Sequence, residues 1–236
     1  MTGASAPKGT VENLFDVQPG EPVICGFFTD SYGSVARDLI ASLDRLEQPY
    51  CLFAFDNFSG WEEATRAKAG VIARALDRFP GHPVIYTDAD SHLEQKVRLQ
   101  DFPNAAISFR VFEKVSEKGA RYLQPATGTM LFENTAEVHG FVGAWAKASE
   151  DVGRFGTDQD SLALALTSNP GLSIGLLPPH LVHIEGTDAG EATIVHHQES
   201  RNQNTWRQKK KKLRRLALFG GIALVLVAGL VALSRL

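Results

Sequence analysis

Three short apolar runs near the start of the chain constrain its fold most. Pro22 to Thr29 (PVICGFFT), Tyr50 to Phe55 and Val84 to Thr87 each read as a strand. Between the first two, Val35 to Leu46 has apolar residues at Val35, Leu39, Ile40, Leu43 and Leu46, a helical spacing. Between the last two, Trp61 to Phe79 reads as a helix ended by Pro80-Gly81. The result is a β-α-β-α-β order, the rhythm of a doubly wound parallel α/β sheet. In such sheets ligands bind beyond the carboxyl ends of the strands. Here those ends read Thr29-Asp30-Ser31-Tyr32-Gly33, Asp56-Asn57-Phe58-Ser59-Gly60 and Asp88-Ala89-Asp90-Ser91-His92.

The third of these ends is the most informative. Residues i and i+2 of a strand share a face, so if the strand continues past Thr87, Asp88 and Asp90 can converge on one cation. Paired acids on an apolar strand are costly unless something positive compensates them. A hard divalent ion, Mg²⁺ or Mn²⁺, suits oxygen ligands. The same pattern also occurs where a turn caps a following helix, so the pair alone leaves both readings open.

The second half is less regular. Ala105 to Val111 reads as a strand, and Leu123 to Phe132 as a turn and strand around Thr127-Gly128-Thr129. Ala136 to Glu150 reads as a helix, and another begins at Asp158-Gln159-Asp160 and runs through Leu166. Leu172 to Leu177 and Ala192 to Val195 read as short strands, the latter ending in His196-His197. A neutral imidazole there is a competent third metal ligand. Two adjacent histidines point to opposite faces if extended, so only one of them can take that role. At 158–160, one acid is expected to cap the helix and the other, with Gln159, to hold an acceptor hydroxyl. Arg66 and Lys68 precede the Asp88 strand on the second helix. They read either as solvated helix charges or, if a diphosphate lies over that helix, as its partners.

Charge is unevenly distributed. All 27 acidic residues lie before residue 207, with 16 basic residues, so that part of the chain carries a net −11; the remaining eight Lys and Arg follow. So acidic a body is a poor nucleic-acid binder. Leu216 to Ser234 is an uncharged run long enough, at ~1.5 Å per residue, to span a hydrocarbon core. A basic collar from Arg207 to Arg215 precedes it, and dense positive charge marks the cytoplasmic flank of a span. The expected organisation is a flexible N-terminus over residues 1–20 with no secretory signal, an α/β domain over 21–203, a basic juxtamembrane linker over 204–215 and a membrane helix over 216–236. That makes a single-pass C-terminal anchor with the domain in the cytoplasm. Cys25 and Cys51 lie in apolar runs and read as buried, reduced thiols.

In this order the clusters resemble GT-A-type glycosyltransferases, the nucleotide-diphospho-sugar transferase group. The resemblance rests on Ala64-Thr65-Arg66-Ala67-Lys68, on Val84 to Asp90 with its Asp-x-Asp, on Thr127-Gly128-Thr129-Met130-Leu131-Phe132, on Asp158-Gln159-Asp160-Ser161-Leu162 and on His196-His197-Gln198-Glu199-Ser200-Arg201. It covers about Val23 to Arg201. The fold it implies is α/β, GT-A and Rossmann-like, with a mixed, mostly parallel central sheet flanked by helices, here followed by a transmembrane helix. It implies that Asp88, Asp90 and His196 hold Mn²⁺ or Mg²⁺, with His196 preferred to His197. Thr29, Asp30 and Tyr32 would line the nucleotide site, and Arg66 and Lys68 would meet phosphate or sugar. Asp88 also belongs to the donor site, and Gly128 and Thr129 would let the backbone approach the donor sugar. Asp158, Gln159 and Asp160 would face sugar and acceptor. The partners implied are a nucleotide-sugar donor, a glycan or lipid-linked acceptor and a membrane. The Asp-Gln-Asp pattern looks more like that of retaining relatives, whereas an inverting enzyme would use Asp158 or Asp160 as base.

Other readings fit less well. A haloacid-dehalogenase-type phosphatase places its Asp-x-Asp on the first strand, a P-loop needs G-x-x-x-x-G-K-[ST], and a dinucleotide-binding turn needs G-x-G-x-x-G; none of these is present. A membrane-anchored, catalytically inactive binding protein with the same fold is the remaining alternative, because fold does not establish activity.

Overall fold

The structure is a computed structural model and describes residues 6–116, 118–153, 156–186 and 190–197. The chain's first element is β1 (Gly9–Asn13), inside the stretch expected to be a flexible N-terminus. All five of its residues are exposed, so no apolar alternation announces it. It forms because the edge of a later strand offers it an antiparallel ladder.

Then comes the alternation: β2 (Val23–Thr29), α1 (Gly33–Arg45), β3 (Tyr50–Phe55), α2 (Trp61–Arg66), α3 (Lys68–Arg78) and β4 (Val84–Thr87). The single helix expected over Trp61 to Phe79 is two helices meeting at Ala67. Neither Gly nor Pro stands at the break. What marks it is tertiary pairing, because Lys68 turns into the interior while Arg66 donates to the carbonyls of Gly153 and Gly156 at 2.9 and 3.2 Å. The second half adds β5 (Ser91–Leu93), β6 (Ile107–Val115), β7 (Arg121–Phe132), α4 (Ala136–Asp151), α5 (Asp158–Thr167), β8 (Ile174–Leu176), β9 (Val182–Ile184) and β10 (Ile194–His196).

Seven strands form one sheet in the order β1-β3-β2-β4-β7-β6-β8. β2 is parallel to both β3 and β4, β7 is antiparallel to β4 and to β6, and β8 is parallel to β6. Five strands therefore run one way and only β1 and β7 run against them, so the sheet is mixed and mostly parallel. β2 and β4 can lie side by side because residue 26 is glycine. A Cβ there would stand 2.5 Å from the Thr87 carbonyl oxygen.

The sheet is covered on both faces. On one, Ala69, Val71, Ile72, Ala75 and Leu76 of α3 join Val138, Phe141, Val142 and Trp145 of α4 and Leu162 of α5. On the other, Leu39 and Leu43 of α1 meet Leu93, Val182 and Ile194 of a second, three-stranded sheet ordered β5-β10-β9. Burying such side chains stabilises by roughly 1.5–3 kcal/mol each. Because both faces of the sheet are dry, the polar ends of β2, β3 and β4 are where chemistry can be exposed.

One irregularity shapes that edge. Phe109 pairs with Met130, but the next residue, Arg110, pairs with Ala126. Thr127, Gly128 and Thr129 thus bulge out of the β6 ladder while Thr129 still pairs with Thr87 of β4. The turn expected here is a bulge inside one long strand, a device that re-aims side chains beside a site.

Among the described residues no helix is long and apolar enough to cross a membrane. The basic linker over 204–215 and the membrane helix expected over 216–236 lie outside the described residues.

Candidate active site

β4 stops at Thr87 and the chain turns through Asp88-Ala89-Asp90 into β5. Ser91 Oγ donates to the Asp88 carbonyl at 2.6 Å and lies 2.9 Å from Thr87 Oγ1, which fixes the turn. The Asp88 amide donates to the Gly128 carbonyl at 2.8 Å, one step past the last ladder pair. A turn, and not the shared face of an extended strand, therefore brings the two acids together.

His196 ends β10 directly opposite Ser91 on β5. One ligand atom from each of Asp88, Asp90 and His196 lies within 4.8 Å of the others. His196 Nε2 stands 2.6 Å from Thr129 Oγ1, which leaves Nδ1 for other partners. Burial lowers the pKa of His196 from its ordinary value, Asp88 and Asp90 oppose that shift, and the neutral ring is the ligating form. Two carboxylates and an imidazole are a donor set that fits Mg²⁺ or Mn²⁺. Gly128 keeps the space open. A Cβ there would stand 3.0 Å from His196 Cε1 and 3.4 Å from Asp88 Oδ2.

Behind this set lies a buried ion cluster. Lys68, 5% exposed, places Nζ 2.6 Å from Asp158 Oδ2 and 2.9 Å from Asp88 Oδ1. Burial by itself disfavours the ammonium, but Asp158 and then Asp88 outweigh it and hold the Lys68 pKa above its ordinary value. Tyr86 donates to Asp88 Oδ1 at 2.8 Å, and Thr127 Oγ1 donates to Asp158 Oδ2 at 2.5 Å. The Tyr86 hydroxyl is held well above its usual pKa by burial first and then by Asp88, so it stays a donor. Tyr86 and Thr127 lie inside the runs that carry the resemblance but have no role assigned by it. Each stands two residues from one that does, Asp88 and Thr129, and that spacing is the available signal.

The remaining expected residues fall in three places. Asp160 accepts from the Thr157 amide and hydroxyl at 2.9 Å each, a capping box at the start of α5. Its Oδ2 serves the helix end and the residue is exposed, while Asp158 turns inward and Gln159 is half-buried between them. Arg66 does not join the cluster around Lys68; it ties down the loop before α5. Thr29, Asp30 and Tyr32 lie at the end of β2. There Thr29 Oγ1 is 3.1 Å from Ser31 Oγ, the Ser31 amide donates to Asn57 Oδ1 at 3.1 Å, and Asp30 pairs with Lys8. These bonds join the loops after β2 and β3 beside the edge at which β4 delivers Asp88.

The fold is mixed α/β with a mostly parallel central sheet, and it resembles that of GT-A glycosyltransferases. A glycosyltransferase involved in the glycosylation of the major capsid of PBCV-1 has a similar structure: TM-score 0.55 and 14% identity, over 75% of this chain and 92% of that one. Two further structures are less similar. They are the apo WbbM bifunctional glycosyltransferase (TM-score 0.48, 14% identity, 80% of this chain and 47% of that one) and apo mouse xyloside xylosyltransferase 1 (0.49, 13%, 74% and 97%). No family model matches the chain, and no curated protein matches it significantly.

Proposed function

We propose that the protein is a metal-dependent glycosyltransferase that moves a sugar from a nucleotide-diphosphate donor to an acceptor hydroxyl. The observation that carries this reading is the convergence of Asp88, Asp90 and His196 around the gap that Gly128 leaves. A Mn²⁺ or Mg²⁺ ion held there would act as a Lewis acid toward the charge that develops on a departing diphosphate.

The chain's own residues have complementary tasks. Tyr86 and Lys68 fix one oxygen of Asp88, and Thr129 fixes the ring of His196, so the donor set is held before any ligand arrives. Thr29, Asp30 and Tyr32, at the end of β2, would line the nucleotide, since ligands of such sheets bind past the carboxyl ends of the strands. Both acids of 158–160 are engaged, Asp158 by Lys68 and Thr127 and Asp160 by Thr157. An inverting transfer needs a carboxylate free to take the acceptor proton. That supports a retaining outcome. The membrane anchor, the cytoplasmic placement and a glycan or lipid-linked acceptor in envelope synthesis rest on the sequence of residues 204–236.

A thermal-shift panel of nucleotide sugars with Mn²⁺ tests the proposal, because a ligand bound to the folded state raises Tm by mass action. A donor should raise Tm with Mn²⁺ and not in excess chelator, and donor hydrolysis or transfer should show the same dependence. Full activity in chelator would refute the metal role, and no shift with any donor would refute the glycosyltransferase reading.

A further inference from the structure

The three-stranded sheet has a second face that the site above does not use. β10 lies between β5 and β9, with Val195 opposite His92 on one side and His183 on the other. Residues directly opposite share a face, and successive residues alternate faces. The inner face carries Leu93, Val182 and Ile194 in the core, with His196 at its end. The outer face carries His92, His183 and Val195, and its period continues to Glu94, Glu185 and His197.

Two of these imidazoles meet. His92 Nδ1 and His197 Nε2 are 2.7 Å apart. The ring centroids are 4.7 Å apart with planes 13° from parallel. The outer nitrogens are each backed by a carboxylate, His92 Nε2 by Glu94 Oε1 at 2.7 Å and His197 Nδ1 by Glu185 Oε2 at 3.1 Å. An ionised carboxylate only accepts, so the outer nitrogens carry the hydrogens. The two inner nitrogens then face each other at hydrogen-bond distance, aimed at one point. Two lone pairs so placed cannot satisfy one another; a proton or a metal cation held between them does.

We propose that His92 and His197 form a nitrogen-donor site for a Zn²⁺-class ion on this outer face, separate from the oxygen-rich set of Asp88, Asp90 and His196. Imidazole favours Zn²⁺, Cu²⁺ and Ni²⁺ over Mg²⁺ and Mn²⁺. A carboxylate behind each ligating ring is the arrangement that fixes tautomer and orientation in metal sites. A divalent ion also neutralises the two negative charges of Glu94 and Glu185. With metal–nitrogen bonds of about 2.0–2.1 Å, tetrahedral geometry needs the nitrogens roughly 3.3 Å apart, so the rings must part by roughly half an ångström. Both side chains are partly exposed, at 23% and 40%, and have room to do so. The ion would clip β5 to the residue after β10. That junction is already marked by the His197 amide donating to the Asp90 carbonyl at 2.9 Å. The site does not depend on the glycosyltransferase reading.

Calorimetric titration of the metal-free full chain with Zn²⁺, in excess Mg²⁺, tests this. The expected result in Asp90→Asn, which disables the oxygen-rich set, is one Zn²⁺ per chain, with affinity at least 10-fold weaker when His92→Gln or His197→Gln is added. Glu94→Gln should weaken it by about 10-fold or more, as loss of a backing carboxylate does. Co²⁺ loading of the unmutated chain gives a second readout that needs no variant, the visible absorption of tetrahedral nitrogen ligation. No Zn²⁺ binding, binding that survives both histidine changes, or binding lost in Asp90→Asn would each overturn the proposal.

Discussion

The Lys68 ammonium stands 2.6 Å from the Asp158 carboxylate, and both side chains are almost fully buried. An ion pair so placed has exchanged water for its partner, so it is sensitive to loss of either half. Its position matters as much as its strength, since the same ammonium reaches Asp88 and thereby joins α3 and α5 to the end of β4. Lys68→Met should cost about 3–5 kcal/mol of stability by leaving the buried Asp158 carboxylate without its charge partner. Urea unfolding measures it, and a loss below about 1 kcal/mol would show that water reaches the cluster.

Gly128 tests the geometry of the metal set without touching a ligand. Gly128→Ala places a Cβ 3.0 Å from the His196 ring and 3.4 Å from Asp88 Oδ2. We expect Mn²⁺-dependent donor binding to weaken at least 10-fold while Tm moves by only a few degrees. Unchanged binding would mean that the gap over Gly128 is not where the ion or sugar lies.

The two late histidines are expected to separate cleanly. His196 is buried and held by Thr129, whereas His197 is on the outer face against His92 and Glu185. His196→Ala should weaken Mn²⁺-dependent donor binding far more than His197→Ala does. Equal effects in the donor-binding assay would exclude His196 as the ligand.

Cys25 and Cys51 face each other across β2 and β3 and are both free. Burial pushes the Cys25 thiol well up, and burial and then Glu12 push that of Cys51 up to about 12. Neither should react with a thiol reagent at pH 8 unless denaturant is added. A thiol whose folded pKa is raised contributes stability that is complete below its unfolded value, near 9, and falls as pH rises toward about 12. Rapid labelling of the native chain would contradict this burial.

Ser108 Oγ is fully buried and, among the described residues, is the buried side-chain polar atom that lacks a hydrogen-bond partner. A Cβ on Gly175 would collide with it, so the neighbouring strand must pass close. Ser108→Ala removes an unsatisfied hydroxyl and should raise stability by about 1 kcal/mol. A loss of that size would reveal a bridging water.

Much of the first half was legible because its signals are local. Val23 to Phe55 alternates between buried strand and amphipathic helix, and Asp88 and Asp90 stand where such a sheet exposes its ligand edge. The split at Ala67 was not legible, because no residue there opposes a continuous helix; the partners of Arg66 and Lys68 lie far along the chain. β1 was hidden for a related reason. An exposed edge strand buries no face, so its five residues carry no pattern.

The sequence by itself determined which residues could be chemical: the acids after an apolar strand, a late histidine, and an acid pair opening a helix. Periodicity and residue type are enough for that. Only the tertiary structure decided among them. It replaced a shared strand face at Asp88 and Asp90 with a turn, gave Asp160 to a helix cap, and set Lys68, which the sequence left open between a solvated charge and a phosphate partner, in a buried ion cluster. It also set His196 and His197 on opposite faces with different partners. The reason is physical. Whether a charged side chain is solvated, capping or buried depends on which distant groups share its space, and that is fixed only when the elements pack together.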